Sequence, residues 1–409
     1  MNPKWLDVLW SDLLGRGHLS RVRDDRAYDG IPIPVSVVAA GYGAVDPSTE
    51  RLLIVPDRST ERPNPFSPGA ALAVGSLFDE EGSSSPLCGR SALARVLARF
   101  SQEGYRIQAA AELEFFLLDP STLKPLWADI NQYSVTKGGE IEGVLGRIRR
   151  ELMVAGIPVE AMNPEYSGGQ VELNIKHAPA DQAADYTVLS RYFAREIVRA
   201  SGLDATFLAK PWTDQAGNGL HVHQSLWVGN SNIMHESGDL SNVARYYLAG
   251  QLARMRELAL LGSSNPNAYH RRSGRAFAPS GISWGVDNRT VAVRAIVGSE
   301  SATRIEQRDA SADCNIYLAF AGQFGSGLEG IHCELPLPAA VTGNAHGRPG
   351  DEQLPTTFVE AMTAFAGSSF ARELLGSTAD RYEEILRAEL DEVLGSSADW
   401  ERARYLSAV

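Results

Sequence analysis

Two glutamates spaced two residues apart in an apolar run are the first side chains in the sequence whose pattern suggests chemistry. The stretch AELEFFLL, residues 111–118, carries Glu112 and Glu114, with Leu113 and Phe115 between and after them. In a β-strand, residues two apart share a face, so the carboxylates would lie side by side. Such a pair binds a cation, shares a proton or lies at a solvated edge strand, because buried like charges repel. The pair by itself leaves these three alternatives open.

Four more potential ligands lie in strand-like segments further along the chain. Glu165 and Glu172 belong to NPEYSGGQVELN, His221 to GNGLHVHQS and Glu306 to TRIEQRD. Taken singly, His221 would be interpreted as a hydrogen-bonded core histidine. All six side chains together would suffice for two divalent ions, and carboxylate-rich sites suit Mg²⁺ or Mn²⁺, which keep exchangeable positions for phosphate oxygens. The set therefore predicts a metal centre next to a bound phosphate.

Arginines cluster shortly after the histidine strand, in HRRSGRAFAPSG and WGVDNRTVAVR. A guanidinium group binds carboxylate and phosphate oxygens through paired hydrogen bonds, so the cluster favours an anionic substrate. Charge runs are also typical of solvated faces with salt bridges, and the Gly-rich turn AGNGLH is equally typical of a simple hairpin. Acids for metal combined with arginines for anions indicate phosphoryl transfer. The arginines concerned are Arg271, Arg272, Arg275, Arg289 and Arg294.

Composition restricts the possible partners. The chain has 409 residues, 44% of them hydrophobic, and a formal net charge of −12, which argues against general binding to nucleic acid or anionic membranes. Small molecules or other subunits are the expected partners. The first residues lack the features of a signal peptide and no apolar run reaches membrane-spanning length, so a cytoplasmic location is expected. Cys88, Cys314 and Cys333 match no zinc or disulfide spacing and are predicted to be reduced packing residues.

The pattern along the chain predicts an α+β protein. Short apolar runs broken by Pro and Gly from residue 8 to about residue 78 indicate a small β-rich unit, and DEEGSSSPLCGR, residues 79–90, is typical of a linker. Strand-like and helical runs then alternate. Near the end of the chain, FVEAMTAFAGSSFARELLG and DRYEEILRAELDEVL are interpreted as two amphipathic helices.

The ordered motifs resemble the glutamine synthetase superfamily, specifically its bacterial type I members. They are E-x-E-F-F, N-P-E-Y-x-x-G-Q-x-E-x-N, G-x-G-x-H-x-H-x-S-L and R-I-E-x-R, and they extend over most of the chain. The resemblance implies an N-terminal β-grasp domain, residues 1–82, and a large catalytic domain of antiparallel sheet and helices, residues 86–409. It also implies that ATP and a glutamate form a γ-glutamyl phosphate, which an amine then attacks. Two to three Mg²⁺ or Mn²⁺ ions per active site are expected.

The resemblance also implies roles for individual residues. One metal ion would be bound by Glu114, Glu165 and Glu172, and the other by Glu112, His221 and Glu306. For the substrates, it implies that Arg271 and Gly217 bind the amino acid, Arg308 contacts it near the reacting group, and Arg289 and Arg294 clamp phosphate. Residues expected around the nucleotide are Glu160, His223, Ser225 and Arg304.

Two departures from the family pattern concern the nucleophile. Ammonia-using members carry a glutamate one residue before the A-P pair, where this chain has Phe277, and an aspartate in a D-G-S stretch, where this chain reads PVSVVAAGYG. Those acids bind ammonium and accept its proton, so their loss favours a less polar amine. The resemblance is thus nearer to γ-glutamylamide synthetases, with Phe277 lining the amine site. Ordinary glutamine synthetase and a non-catalytic regulatory homologue are the alternatives.

A third departure concerns the acid substrate. Ala216 replaces a family asparagine that contacts the amino acid, so an analogue of L-glutamate is possible as well as glutamate itself. The family also assembles into stacked rings in which the N-terminal domain of one subunit completes its neighbour's active site. A homo-oligomer, expected to be a dodecamer, follows from the resemblance.

Overall fold

A computed structural model describes residues 5–24, 30–34, 51–67, 69–130, 132–272, 277–348, 352–395 and 400–406. Two features singled out in the sequence fall largely outside these ranges. Arg275 is not among the described residues, and of PVSVVAAGYG only the proline at position 34 is.

The N-terminal segment forms a five-stranded sheet, as its short apolar runs predict. Its order is β2-β1-β5-β4-β3, with β1 and β5 parallel and the other neighbours antiparallel. The central strand β5 is buried along most of its length, because it lies between two neighbours. The strands are β1 (Trp5–Ser11), β2 (Gly17–Arg23), β3 (Ile31–Pro34), β4 (Arg51–Pro63) and β5 (Ala70–Phe78).

The second sheet holds the acidic segments and is mostly antiparallel. Seven strands follow one another in the order β15-β16-β17-β11-β6-β8-β7, while β9 and β10 pair with β6, and β12 pairs with β11. A separate hairpin joins β13 and β14. The strands are β6 (Arg106–Leu118), β7 (Val159–Pro164), β8 (Gln170–Ile175), β9 (Ala178–Pro179), β10 (Asp204–Thr206), β11 (Gly219–Val228), β12 (Ser231–Asn232), β13 (His235–Glu236), β14 (Asp239–Leu240), β15 (Trp284–Val286), β16 (Val293–Ile296) and β17 (Arg304–Ser311).

Helices form the rest of the fold, and several of them pack against this sheet. They are α1 (Gly89–Gln102), α2 (Val135–Val154), α3 (Ala180–Ala200), α4 (Asn242–Gly262), α5 (Pro266–Tyr269), α6 (Ile316–His332), α7 (Phe358–Ala366), α8 (Ser369–Leu375), α9 (Ser377–Leu394) and α10 (Trp400–Tyr405). The first of the two predicted C-terminal helices divides at Gly367, because Ser368 caps a new helix by accepting the amide hydrogen of Ala371 at 2.9 Å. The prediction of a single helix over FVEAMTAFAGSSFARELLG was wrong, since the structure has α7 and α8 there, whereas DRYEEILRAELDEVL lies within the single helix α9.

The two sheets share a continuous core. Leu87 and Cys88, at the end of the predicted linker, are buried, and Arg90 contacts both Asp57 of β4 and Asp185 of α3 at 2.8 Å. A division into residues 1–82 and 86–409 stays a prediction. Cys88 and Cys314 are buried as expected, but Cys333 is exposed next to the C-terminus of α6, so the packing role predicted for it was wrong. Within the described residues, no helix is both long and apolar enough to cross a membrane.

Candidate active site

Strand β6 presents two glutamates on one face and apolar residues on the other. Leu113 and Phe115 are fully buried, and the Phe115 ring packs 4.8 Å from that of Phe207. Glu112 and Glu114 lie on the opposite, partly open face, as the alternation of the sequence predicts. The apolar face thus fixes the strand in the core and leaves the carboxylates directed into a cavity.

The register of the sheet gathers most of the other acids beside this pair. Glu172 of β8 lies directly opposite Glu114, and His221 of β11 lies opposite Glu112. One strand further, Glu306 of β17 lies opposite His223 of β11. Directly opposed residues project on the same face, so a single face of the sheet carries the predicted ligands.

Glu165 reaches the same place from the turn between β7 and β8. Its amide donates a hydrogen bond to the carbonyl of Gln170 at 2.8 Å, which closes the turn. Its carboxylate accepts hydrogen bonds from the amide of Tyr166 at 3.1 Å and from the side chain of Gln132 at 3.3 Å. All six predicted metal ligands therefore lie in one region of the molecule.

The donor atoms approach one another closely enough to hold metal ions. Ligand atoms of Glu112, Glu172 and His221 lie within 4.8 Å of one another, and so do those of Glu112, His223 and Glu306. The sequence assigned His223 to the nucleotide, whereas the structure also places it against Glu112, with Nε2 at 2.8 Å from Oε1. Its position two residues after His221 on the same strand was the available signal.

Arg304 determines which ring nitrogen of His223 carries hydrogen. The Nε of Arg304 donates to Nδ1 of His223 at 3.1 Å, and a guanidinium group can only donate. Nδ1 therefore accepts, and the ring hydrogen lies on Nε2, which donates to Glu112. This arrangement favours a role for His223 in positioning the Glu112 carboxylate.

The electrostatics of the acids fit a bound divalent cation. Burial, reinforced by the charges of Glu112 and Glu114, raises the pKa of Glu172 to about 9. Burial and the charge of Glu114 raise the pKa of Glu165 to about 7. Burial opposes the charge on Glu112 too, but its hydrogen bonds with His221 and His223 outweigh burial and lower its pKa. A cation between these groups would relieve the repulsion that raises the first two pKa values.

Arg271 is buried and approaches a glycine very closely. It lies beside the acid cluster, which consists of Glu112, Glu114, Glu165, Glu172 and Glu306. Its Nη1 donates to the carbonyl of Ala310 at 2.8 Å, and its Nε has no hydrogen-bond partner among the described residues. A Cβ on Gly217 would lie 2.5 Å from Cγ of Arg271. A glycine is therefore required here for the guanidinium group to occupy this position.

The remaining arginines are not equivalent. Glu306 accepts hydrogen bonds from Arg308 and, at 3.1 Å, from Arg294, while Arg289 is exposed at the edge of the cavity. Arg272 was grouped with the anion-binding arginines, but it is directed into the core. There it donates to the carbonyl of Pro355 at 2.8 Å, so its grouping by sequence proximity was wrong.

Two cavities meet at the acid cluster, with Glu112 and Asn174 lining both. The larger, of about 510 Å³, is lined by four of the predicted metal-binding glutamates together with Arg271, Arg289, Arg308, Gly217 and Phe277. The smaller, of about 370 Å³, is lined by four of the residues expected to bind ATP, Glu160, His223, Ser225 and Arg304, but not by the phosphate-clamping Arg289 and Arg294. The predicted residues thus separate into a set around the acid substrate and a set around the nucleotide.

Two aromatic side chains, Phe277 and Tyr166, form a wall of the larger cavity. The rings of Phe277 and Tyr166 lie 4.8 Å apart in an edge-to-face arrangement, and Phe277 is 57% exposed. Tyr133 and His346 also line this cavity. Of these, only Phe277 was singled out in the sequence, although Tyr166 directly follows the ligand Glu165.

Comparison with known proteins identifies the class. Residues 86–405 match the family model described as glutamine synthetase, catalytic domain. The chain belongs to the glutamine synthetase family and is a carbon–nitrogen ligase, in a family whose ligases use ATP and divalent metals.

Two curated relatives and one solved structure give a finer comparison. Gamma-glutamylethanolamide synthetase GlnA4 of Streptomyces coelicolor is 36% identical over 361 residues, covering 85% of this chain and 77% of that protein. Glutamate–isopropylamine ligase of a Pseudomonas species is 33% identical over 379 residues, covering 88% and 82%. The structure of a GmaS/ADP complex superimposes with a TM-score of 0.89 at 25% identity, covering 98% of this chain and 96% of that one.

Proposed function

We propose that this protein is an ATP-dependent ligase that joins L-glutamate, or a close analogue, to an amine other than ammonia through a γ-glutamyl phosphate. The observation that carries the proposal is the aromatic side chain of Phe277 on the cavity wall, where ammonia-using members of the family carry an acid. The relatives named for ethanolamide and isopropylamine products support the same reaction class.

The acid cluster is assigned to metal. Glu114, Glu165 and Glu172 would hold one ion, and a second set would hold another: Glu112, His221 and Glu306. The all-oxygen and imidazole donor set suits Mg²⁺ or Mn²⁺, at two to three ions per active site. When bound, such ions neutralise negative charge on phosphate oxygens. In the protein itself, His223 holds the Glu112 carboxylate and the amide of Gly219 holds that of Glu114 at 2.6 Å, which fixes both before an ion arrives.

Arginines are assigned to the anionic groups of the acid substrate and phosphate. Arg271 would bind the α-carboxylate, because it lines the larger cavity and its Nε lacks a partner among the described residues. Arg308 would contact the reacting end, and Arg289 and Arg294 the transferred phosphoryl group. Arg308, Arg289 and Arg294 would stabilise charge that develops when a carboxylate oxygen attacks phosphorus, whereas Arg271 would hold the amino acid in place.

The smaller cavity is assigned to the nucleotide. Glu160 is exposed at its edge and Ser225 lies on β11, two residues after His223. Arg304 and His223 form a hydrogen-bonded pair that reaches from this cavity to the acid cluster. The position suits ATP, whose phosphates would extend toward the shared wall at Glu112, and the related GmaS structure binds ADP.

The amine is proposed to carry an apolar or aromatic substituent. Phe277 and Tyr166 form an edge-to-face pair that offers hydrocarbon surface, and the glutamates that line the same cavity are assigned to metal. A neutral substituent packed on these rings leaves water without the desolvation cost that a second charge would incur. A polyamine is therefore expected to be a poorer substrate than an alkyl or aryl monoamine.

We also propose a homo-oligomer, expected to be a dodecamer, located in the cytoplasm where ATP and glutamate are supplied. Three apolar side chains close together in the chain are largely exposed, which supports burial against another subunit: Ile130, Tyr133 and Val135, at 62%, 64% and 92% exposure, of which Tyr133 lines the larger cavity. Native mass spectrometry would measure the number of subunits directly, and a monomer at micromolar concentration would contradict this proposal.

The deciding experiment measures phosphate release from ATP with Mg²⁺ and L-glutamate against a panel of amines, with mass spectrometry of the products. The panel contains ammonium, methylamine, ethanolamine, isopropylamine, putrescine and aniline. Turnover with a substituted amine and little with ammonium is expected. Turnover with ammonium only would identify an ordinary glutamine synthetase. Absence of turnover with all amines, despite bound ATP, would favour a non-catalytic homologue or a different acid substrate.

The variant Phe277→Glu is the matched test of the aromatic wall. It restores an acid at this place, so it is expected to raise the ratio of ammonium to substituted-amine turnover. Phe277→Leu keeps an apolar surface and is expected to keep the preference of the parent protein. Equal preferences in all three proteins would show that the wall does not select the amine.

A further inference from the structure

A short helix near the end of the described chain packs behind the acid-substrate side of the larger cavity. Helix α10 contacts two segments that carry cavity residues. One is the loop 208–218, which includes Ala216 and Gly217, and the other is the turn that ends in Arg271 and Arg272.

Glu401 of α10 makes the polar contacts with the turn. Its Oε2 accepts a hydrogen bond from Nδ2 of Asn267 at 3.2 Å and lies 3.1 Å from Nε2 of His270, the residue directly before Arg271. The side chain of Asn267 is buried and also bonds to both backbone groups of Lys210. The amide of Lys210 donates to Oδ1 of Asn267 at 2.7 Å, and Nδ2 of Asn267 donates to the carbonyl of Lys210 at 3.1 Å. The side chain of Asn267 thus joins the turn to the loop, and the Glu401 carboxylate contacts both Asn267 and His270.

Apolar and aromatic contacts extend the attachment along the loop. Tyr405 and Leu406 pack with Leu208 at the start of the loop, and the guanidinium group of Arg402 lies 5.9 Å from the ring centre of Trp212. The helix is itself anchored, because Arg404 donates to the fully buried carboxylate of Glu389 at 2.9 Å.

The loop 208–218 connects helix α10 to the residues on the acid-substrate side of the larger cavity. The ammonium group of Lys210 donates to the carbonyl of Gln215, the residue before Ala216, and Gly217 lies against the side chain of Arg271. Both walls around Arg271 are therefore tied to α10. We propose that α10 is a clamp for the acid-substrate side of the site, and that Glu401 is a positioning residue for Arg271 and the loop 208–218.

The clamp depends on the proposed function only for the identity of the acid substrate. Its test therefore includes hydrogen exchange, a measurement that needs no enzyme turnover. Glu401→Ala is expected to raise the KM for glutamate roughly five- to tenfold, because a hydrogen bond to a charged group is lost. The KM for ATP and kcat should stay within about twofold. Hydrogen exchange of the amides in the loop 208–218 should become faster, while that of β6 stays unchanged.

Two further variants separate positioning from general stability. Glu401→Gln keeps an acceptor for Asn267 but loses the charge beside His270, so an intermediate KM for glutamate is expected. Glu384→Ala removes an ion pair with Arg381 at 2.9 Å on the outer surface of α9 and should change neither readout. Should Glu401→Ala fail to fold, Glu401→Gln decides the matter through the same two measurements.

The outcomes are distinguishable. Unchanged exchange in the loop 208–218 together with an unchanged KM for glutamate would overturn the clamp. Faster exchange confined to this loop would support it even if the parent protein formed no γ-glutamyl amide, in which case the proposed function and not the clamp would fail. An equal rise in the KM values for glutamate and ATP would also contradict it, because α10 makes no described contact with the smaller cavity.

Discussion

The close contact between Gly217 and the side chain of Arg271 predicts how an added methyl group at Gly217 would change substrate binding. In Gly217→Ala the added Cβ would lie 2.5 Å from Cγ of Arg271 and 2.7 Å from the carbonyl oxygen of Ala209. Ala209 is held, since its amide donates to Asp313 at 3.0 Å and its carbonyl accepts from Asn218 at 2.8 Å. Arg271 must therefore move, although it is only 4% exposed and donates to the carbonyl of Ala310.

The size of the effect follows from the cost of overpacking. Inserting a methyl group into a filled site costs about 1–3 kcal/mol. If the displaced Arg271 no longer binds the acid substrate well, the KM for glutamate rises by about five- to 150-fold. The KM for ATP should change less than about twofold, because Gly217 does not line the smaller cavity. Steady-state phosphate release with glutamate and ATP varied in turn measures both constants.

A matched glycine provides the control for this variant. Gly143 lies on α2, where a Cβ would meet no atom within 4 Å. Gly143→Ala should leave both KM values unchanged and slightly raise the free energy of unfolding, since alanine is the better helix former. If Gly217→Ala kept the KM for glutamate of the parent protein while remaining folded, Arg271 would not bind this substrate in the position that the structure shows.

Three other predictions concern the metal and nucleotide. The raised pKa values of Glu165 and Glu172, about 7 and about 9, mean that the metal-free folded protein binds more protons than the unfolded chain. Its free energy of unfolding should therefore fall as the pH rises from about 5 to about 9, and the melting-temperature gain from Mg²⁺ should grow over that range; an equal gain at every pH would contradict this. Glu172→Gln should weaken Mn²⁺ binding at least about tenfold in calorimetry while raising metal-free stability at pH 8, and unaltered binding would remove Glu172 from the ligands. Arg304→Gln should raise the KM for ATP about tenfold through loss of its bond to His223, with the KM for glutamate nearly constant; the reverse pattern would exchange the proposed roles of the two cavities.

Local pattern was sufficient to predict the part of the site that lies on strands. The alternation in AELEFFLL places Glu112 and Glu114 on one face, and the structure confirms this placement. The predicted ligands Glu172, His221 and Glu306 lie on strands whose side chains alternate between two faces, so a shared face was predictable once the strands were recognised. The N-terminal sheet was predictable from its short apolar runs, and most helices from the helical spacing of their apolar residues.

Helix α6 shows where local pattern was insufficient. Its glycines lower helix propensity, and the segment was not singled out as a helix. In the structure they permit close packing against α4: a Cβ on Gly330 would lie 2.2 Å from the carbonyl oxygen of Tyr246, and one on Gly250 would lie 2.1 Å from that of Ser326. These glycines are required because α4 lies so close to α6, and the local sequence pattern of α6 carries no information about α4.

The sequence by itself was sufficient to indicate the family, to identify glutamate and histidine as the candidate metal ligands, and to show that Phe277 stands where ammonia-using members carry an acid. Tertiary structure decided which residues share a cavity. It turned Arg272 into the core while leaving Arg271 beside the acids, placed Tyr166 against Phe277, and brought Glu401 from the far end of the chain to His270. Periodicity records how a residue faces within its own strand or helix, whereas these contacts depend on how separate elements pack, and that information is distributed over the whole chain.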